Sequence, residues 1–299
     1  MGRERSLLVA NWKMHFVRAQ ALEYLKIFTE RVRNITKTEL VLAPPFTLLE
    51  TVGRELQKTQ MKLAAQNLFY ERQGAFTGEI SPVMLKDLGC QYVIVGHSER
   101  RRLFGETDEI INKKLRAALD AQITPILCVG ETLEERRITK RVLEAQIRGA
   151  LHTPSPPSPL PSEGEGSRGV RGLQEGGRGV RSGEGQGEVG VRGVRHSLDL
   201  AEDLVIAYEP VWAIGTGVNA APPEAEASAL FIREVLAELC SAEIAQKIRI
   251  LYGGSVTPAN FEGFLQQPNI DGALVGGASL DPEAFAQLAQ MAERLSEPS

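Results

Sequence analysis

The sequence predicts an α/β protein, a single closed (β/α)8 barrel, on three observations. Eight short apolar runs recur along the chain, the segments between them carry apolar residues at helical spacing, and about 255 residues remain once one compositionally foreign segment is set aside. A (β/α)8 barrel takes about 250 residues. The runs are "LLVANW" (7–12), "LVLAPP" (40–45), "LAAQNL" (63–68), "YVIVGH" (92–97), "PILCVG" (125–130), "LVIAYE" (204–209), "IRILYGG" (248–254) and "DGALVGG" (271–277). They are apolar at both odd and even positions, as parallel strands covered on both faces must be. Stretches such as "AQALEYLKIFTERV" and "EAEASALFIREVLAEL" repeat apolar residues every three or four positions, which gives one buried stripe per helix. Strictly alternating strands and helices point to a closed barrel, with a doubly wound open sheet as the alternative. No G-x-G-x-x-G follows the first strand, so the open sheet lacks its dinucleotide-binding signature.

The foreign segment is 153–196. It holds 12 of the chain's 29 glycines, five of its 16 prolines and no aromatic residue, with R-G-V-R recurring at 168, 178 and 192. Such a tract has too little apolar surface to offset the entropy of ordering, so it is expected to be a disordered low-complexity insertion. Its six arginines face five glutamates with nothing to stack on bases, which argues against an Arg/Gly nucleic-acid tail. It lies between the helix of the fifth unit and the sixth strand, a connection on the N-terminal face of a barrel. Loop-closure entropy grows slowly with length, so an insertion there leaves the opposite face intact.

A net charge of −4 argues against general nucleic-acid binding, and no run approaches the roughly 20 apolar residues of a membrane span. The apolar stretch near the N-terminus is too short for a signal peptide. "MGRERS" fits the loose myristoylation pattern, although a strand already begins at residue 7. Cys90, Cys128 and Cys240 match no disulfide or metal spacing and point to a reducing cytoplasm, in which the sequon at Asn34 goes unused. His15, His97, His152 and His196 are too scattered for a metal cluster.

Catalytic groups of (β/α)8 barrels come from the C-terminal ends of strands and the loops beyond them. Glu209 ends the sixth run, Asn11 and Lys13 follow the first, and His97 closes the fourth. Singly, each has an ordinary reading: a solvated carboxylate, a surface charge, a buried structural histidine. Together they would converge on one mouth. "SERR" after His97 reads as a helix start with Ser98 as its N-cap. The dipole of such a helix favours a neutral imidazole.

Taken in order, "ANWKM", "AQNL…GAFTGEIS", "VIVGHSERR", "CVGETLEER", "AYEPVWAIGTG", "YGGSV" and "ALVGGASL" resemble the triosephosphate isomerase family over nearly the whole chain outside 153–196. The resemblance implies a TIM barrel forming one catalytic domain over 1–299. It implies interconversion of dihydroxyacetone phosphate and D-glyceraldehyde 3-phosphate through an enediolate, without cofactor or metal. Glu209 would be the base, His97 a neutral electrophile and Lys13 the positive charge on phosphate and enediolate, with Asn11 beside it. Glu99 would pair with Lys13. Gly215, Ser255, Gly276 and Gly277 would bind the phosphate; Gly253 and Gly254 read equally as turn glycines. Pro210, Val211 and Trp212 would form the first hinge of a lid whose tip is Ala213, Ile214, Gly215, Thr216 and Gly217.

Val218 and Asn219 depart from the family's usual Lys-Thr at the second hinge, which bears on lid kinetics, and nothing accounts for His15. The long connection 67–81 would insert into a second copy, placing Thr77 near the partner's Asn11 and the partner's Lys13. The partners implied are thus a triose phosphate and an identical chain, with neither nucleic acid nor membrane. A metal-dependent phosphosugar epimerase would require a ligand cluster, and a non-catalytic barrel would be expected to have lost Lys13, His97 or Glu209. A second role as a binding protein acting through 153–196 would be tested by deleting that tract.

Overall fold

The structure, a computed structural model, describes residues 6–152, 204–214 and 219–296. Strands β1 (Ser6–Asn11), β2 (Thr38–Ala43), β3 (Lys62–Ala65), β4 (Tyr92–Val95), β5 (Thr124–Val129), β6 (Val205–Tyr208), β7 (Arg249–Tyr252) and β8 (Gly272–Val275) pair in parallel and in sequence order. The ladder closes when β8 returns to β1 with Leu7 opposite Gly272 and Ala10 opposite Val275. The structure is therefore a TIM barrel, and the open-sheet alternative is excluded. The insertion at 153–196 lies outside the described residues.

Helices α1 (Arg18–Val32), α2 (Leu49–Leu56), α3 (Pro82–Asp87), α4 (Ser98–Phe104), α5 (Asp108–Asp120) and α6 (Thr139–Leu151) follow the first five strands. Helices α7 (Pro222–Leu239), α8 (Ala242–Lys247), α9 (Phe261–Leu265) and α10 (Pro282–Leu295) follow the rest. Full burial of both strand faces divides the core in two. Leu7, Val9, Val41, Ile94, Ile126 and Leu274 are among the side chains that fill the barrel, while residues such as Leu8, Leu42, Val95 and Ile206 pack outward against the helices. The third run is strand only as far as Ala65, because Gln66 turns its amide away to donate to the carbonyls of Lys13 and Ala43, each at 2.8 Å. Ser98 is not an N-cap. That position belongs to His97, whose Nδ1 accepts from the Glu99 N–H at 3.2 Å, so Ser98 is the first helical residue.

Charge closes the N-terminal end of the barrel. Glu39 accepts from Tyr92 Oη at 2.7 Å and Arg249 Nη1 at 2.8 Å and pairs with Lys62 at 2.8 Å; Arg249 Nη2 also donates to Tyr92 Oη at 2.9 Å. Burial alone would raise the Glu39 carboxyl, but these three partners outweigh it and bring its pKa from 4.5 down to about 2. A carboxylate with a lowered folded pKa adds stability above its unfolded value and loses it as pH falls through the folded one. The shift corresponds to about 3 kcal/mol. Between pH 4.5 and 2, the thermal midpoint of the wild type should fall more steeply than that of Glu39→Gln; parallel curves would contradict this assignment.

A second buried charge fastens the helical layer. Arg233 of α7 donates Nε to Asn269 Oδ1 at 2.9 Å, Nη1 to the carbonyls of Ala245 and Ile248, and Nη2 to Asp271 Oδ2 at 3.2 Å. Asp271 Oδ2 also accepts from the Ile250 N–H at 2.8 Å, so one pair joins α7, α8 and the entrance to β7. Cys90, Cys128 and Cys240 are free thiols. Among the described residues, no helix is long and apolar enough to cross a membrane.

Candidate active site

β6 ends at Tyr208, and the next residue, Glu209, is 2% exposed at the C-terminal mouth. Its backbone continues the sheet for one further bond, N–H to Val129 O at 2.8 Å. Two glycines permit this placement. A Cβ on Gly130 would fall 1.7 Å from Glu209 O, and one on Gly253 would fall 2.9 Å from Glu209 Cγ. Gly253 is therefore more than a turn residue: the carboxylate stem occupies the space its side chain would need.

The carboxylate meets two donors. Oε1 lies 3.0 Å from His97 Nε2, and Oε2 accepts the Ser98 N–H at 3.0 Å, at the start of α4. Because Nδ1 of His97 already accepts a backbone N–H, the ring carries its hydrogen on Nε2 and points it at the carboxylate. Burial pushes the Glu209 pKa up, but His97, the Ser98 N–H and Lys13 pull harder and the net direction is down. Burial likewise disfavours a charged His97, and here the adjacent Glu209 carboxylate outweighs it and raises the ring's pKa.

Lys13 arrives from the segment after β1 in a left-handed conformation, φ 49°. A non-glycine residue held there carries strain of about 1–3 kcal/mol, persisting only where its surroundings impose it. The Lys13 N–H donates to Asn11 Oδ1 at 3.0 Å and its carbonyl accepts from Gln66, so buried Asn11 and half-buried Gln66 fix the turn from both sides. Its ammonium donates to Glu99 Oε1 at 2.7 Å and runs past Gly276, where a Cβ would sit 3.5 Å from Lys13 Cε. Asn11, Lys13, His97, Glu99, Glu209 and Gly276 thus share one mouth. Gly277 is exposed beside Gly276, and half-buried Ser255 lies two residues beyond Gly253. Thr77 is exposed on the connection between β3 and α3.

Pro210 leads into a short 3-10 turn over Val211–Ala213. The Val211 N–H donates to Glu131 O at 3.0 Å, Trp212 Nε1 to Glu131 Oε1 at 2.9 Å, and Tyr208 Oη to the same oxygen at 3.1 Å. The Arg136 guanidinium covers the indole at 4.1 Å. Glu131, absent from the sequence-based set, is thus the anchor of this segment. Burial raises its carboxyl, and among the described residues its Oε2 is buried without a hydrogen-bond partner. Its place in "CVGETLEER" looks like an ordinary acidic helix start. Ile214 is described; Gly215, Thr216, Gly217 and Val218 lie outside the described residues, and Asn219 is exposed. His15 is exposed, and nothing in the structure explains it. Among the described residues, no group of three or more His, Cys, Asp or Glu side chains could hold a metal ion.

The family model for triosephosphate isomerase matches residues 6–157 and 183–292. A protein named triosephosphate isomerase from Dictyoglomus turgidum is 43% identical over 283 residues, covering 94% of this chain and 97% of that relative. Its namesake from Dictyoglomus thermophilum is 44% identical over the same shares, and one from Geotalea uraniireducens is 43% identical over 97% of this chain and 99% of its own. With matches spanning nearly its full length, the chain belongs to the triosephosphate isomerase family.

Proposed function

We propose that the chain is an aldose–ketose isomerase that interconverts dihydroxyacetone phosphate and D-glyceraldehyde 3-phosphate, a step of glycolysis and gluconeogenesis. The observation that supports this reading most is the Glu209–His97 contact at 3.0 Å with the Lys13 ammonium at the same mouth. A hydrogen α to a carbonyl is weakly acidic, so its removal requires a positioned base and stabilisation of the oxyanion that forms. Glu209 is the base. It leaves the Ser98 N–H, takes the proton from one substrate carbon and returns it to the neighbouring carbon.

His97 donates Nε2–H to the substrate carbonyl and shuttles hydrogen between the two oxygens. With Glu209 turned to carbon, the ring loses the neighbour that raises its pKa. Burial and the Glu99 N–H on Nδ1 then favour a neutral electrophile. Lys13 leaves Glu99 for the enediolate and phosphate, with Asn11 beside it. Gly276, Gly277, Ser255 and Gly215 offer backbone and hydroxyl donors to the phosphate. The segment 210–217 acts as a lid, with Pro210, Val211 and Trp212 as its hinge and Ala213, Ile214, Gly215, Thr216 and Gly217 as its tip. Closure excludes water and protects the enediolate from loss of phosphate.

The single catalytic domain spans 1–299, with 153–196 as a passive insertion. A homodimer fits the exposed apolar side chains on segments beyond β1, β3 and β4, among them Met14, Val17, Phe76, Met84, Leu103 and Phe104. Thr77 would then serve the second copy's site. Free cysteines suit a cytoplasmic setting. The test is turnover of D-glyceraldehyde 3-phosphate by the purified chain, with product followed by coupled reduction. Steady conversion without added cofactor or metal is expected; no conversion by folded protein would refute the reading.

A further inference from the structure

Of the three arginines at 100–102, Arg101 reaches the end of β4, which leads into His97, and β5, whose Val129 carbonyl holds the Glu209 backbone. Its Nε donates to Gly96 O at 2.8 Å, Nη2 to Cys128 O at 3.3 Å and Nη1 to Asp108 Oδ1 at 2.6 Å. The first of these carbonyls belongs to the peptide whose nitrogen is that of His97. Gly96 sits at φ 72°, where a Cβ would fall 3.0 Å from Ile111 Cδ1 and 3.2 Å from Arg101 Nη2. Glycine is free to turn this peptide either way, so an external donor on its oxygen sets the direction in which His97 leaves the strand.

The second carbonyl stands one residue before Val129, whose oxygen holds the Glu209 N–H. The last paired residues of β4 and β5 are Val95 and Leu127. One step beyond the end of that ladder, the guanidinium joins the two strands at the level where the His97 and Glu209 segments begin. The fork itself is held. Asp108 opens α5, and a Cβ on Gly149 of α6 would lie 2.8 Å from Asp108 Cβ, so the start of α5 packs closely against α6 at the aspartate. A planar guanidinium serves two carbonyls and a carboxylate at once; an ammonium on a flexible stem does not reproduce that geometry.

We infer that Arg101, clamped by Asp108, is a positioning residue that fixes His97 relative to Glu209. The inference rests on the isomerase reading for its rate consequence but not for its geometry. The test uses the full chain with Arg101→Met, Arg101→Lys and Asp108→Asn, measuring the melting curve, kcat and KM for glyceraldehyde 3-phosphate, and the His97 ring nitrogen resonances of the free protein.

A displacement of about 1 Å between reacting groups costs on the order of 10²-fold, so folded Arg101→Met should lose about 10- to 100-fold in kcat, with KM moving less than about threefold. The lysine variant should fall between it and the wild type, Asp108→Asn should lose less in the same direction, and the His97 resonances should move in every variant that loses rate. Should Arg101→Met not fold, Arg101→Lys and Asp108→Asn decide. Variants with a lowered melting temperature but wild-type kcat and unmoved His97 resonances would overturn the inference and leave Arg101 a packing residue. A wild type that is inactive on the substrate refutes the isomerase reading, and the His97 resonances still decide the positioning role.

Discussion

Glu209→Gln should turn over triose phosphate on the order of 10²–10⁴ times more slowly than the wild type, the usual scale for removing a positioned base. The substitution removes basicity with little change of shape and gives up one of the two hydrogen bonds, because an amide offers a single acceptor to the His97 Nε2–H and the Ser98 N–H. The amide has nearly the shape of the carboxylate, fits the same space beside Gly253, and its oxygen can still accept the Ser98 N–H. It cannot take a proton from carbon. Because the proposed phosphate donors and Lys13 stand on other segments, KM should change much less than kcat, which marks an interaction made in the transition state. The check is steady-state kinetics in both directions beside a melting curve. A folded variant with near-normal turnover would remove Glu209 from its role.

Arg233→Met should cost about 3–5 kcal/mol of stability, the range for breaking a buried pair by removing one partner. The arginine side chain is 6% exposed against 20% for Asp271, and its loss takes away the charge that balances Asp271 and the donors to Asn269 Oδ1 and to two carbonyls. A loss of that size in a chain of this length lowers the melting temperature by roughly 5–10 °C. Arg233→Lys should recover part of it, since an ammonium reaches some but not all of these acceptors. Turnover per folded molecule should hold, because the site is assembled at the other end of the strands. Denaturant unfolding measures the difference, and a loss below about 1 kcal/mol would show that the network is replaceable.

The strands were legible because both faces of each are buried, which leaves an apolar signal that survives without context. Their ends were less so. Whether β3 stops at Ala65 depends on two carbonyls more than twenty residues away that Gln66 must satisfy. The N-cap of α4 stands one residue before the serine that the sequence suggests for a related reason: a histidine nitrogen can do what a serine oxygen usually does, and only the ring's orientation reveals it.

Asn11, Lys13, His97 and Glu209 could be named from the sequence because strand ends of a barrel share one mouth. Glu131 could not, since what marks it is the indole and phenol folded onto it from β6 and beyond. Gly253 reads equally as a turn glycine in the sequence because its constraint is contact with one distant glutamate. Arg101 sits in a run of three arginines, and which of them turns inward is set by tertiary packing alone.

In the proposed reaction a single carboxylate moves a proton between adjacent carbons. Isomerisation in D2O, with the product analysed by NMR, tests it most directly. A proton held on Glu209 can exchange with solvent before it is returned, so a measurable fraction of product should carry one deuterium, at the carbon that gains hydrogen and nowhere else. Product free of deuterium at sustained turnover would mean that the transferred hydrogen never exchanges with solvent, and would contradict an exchangeable proton held on Glu209.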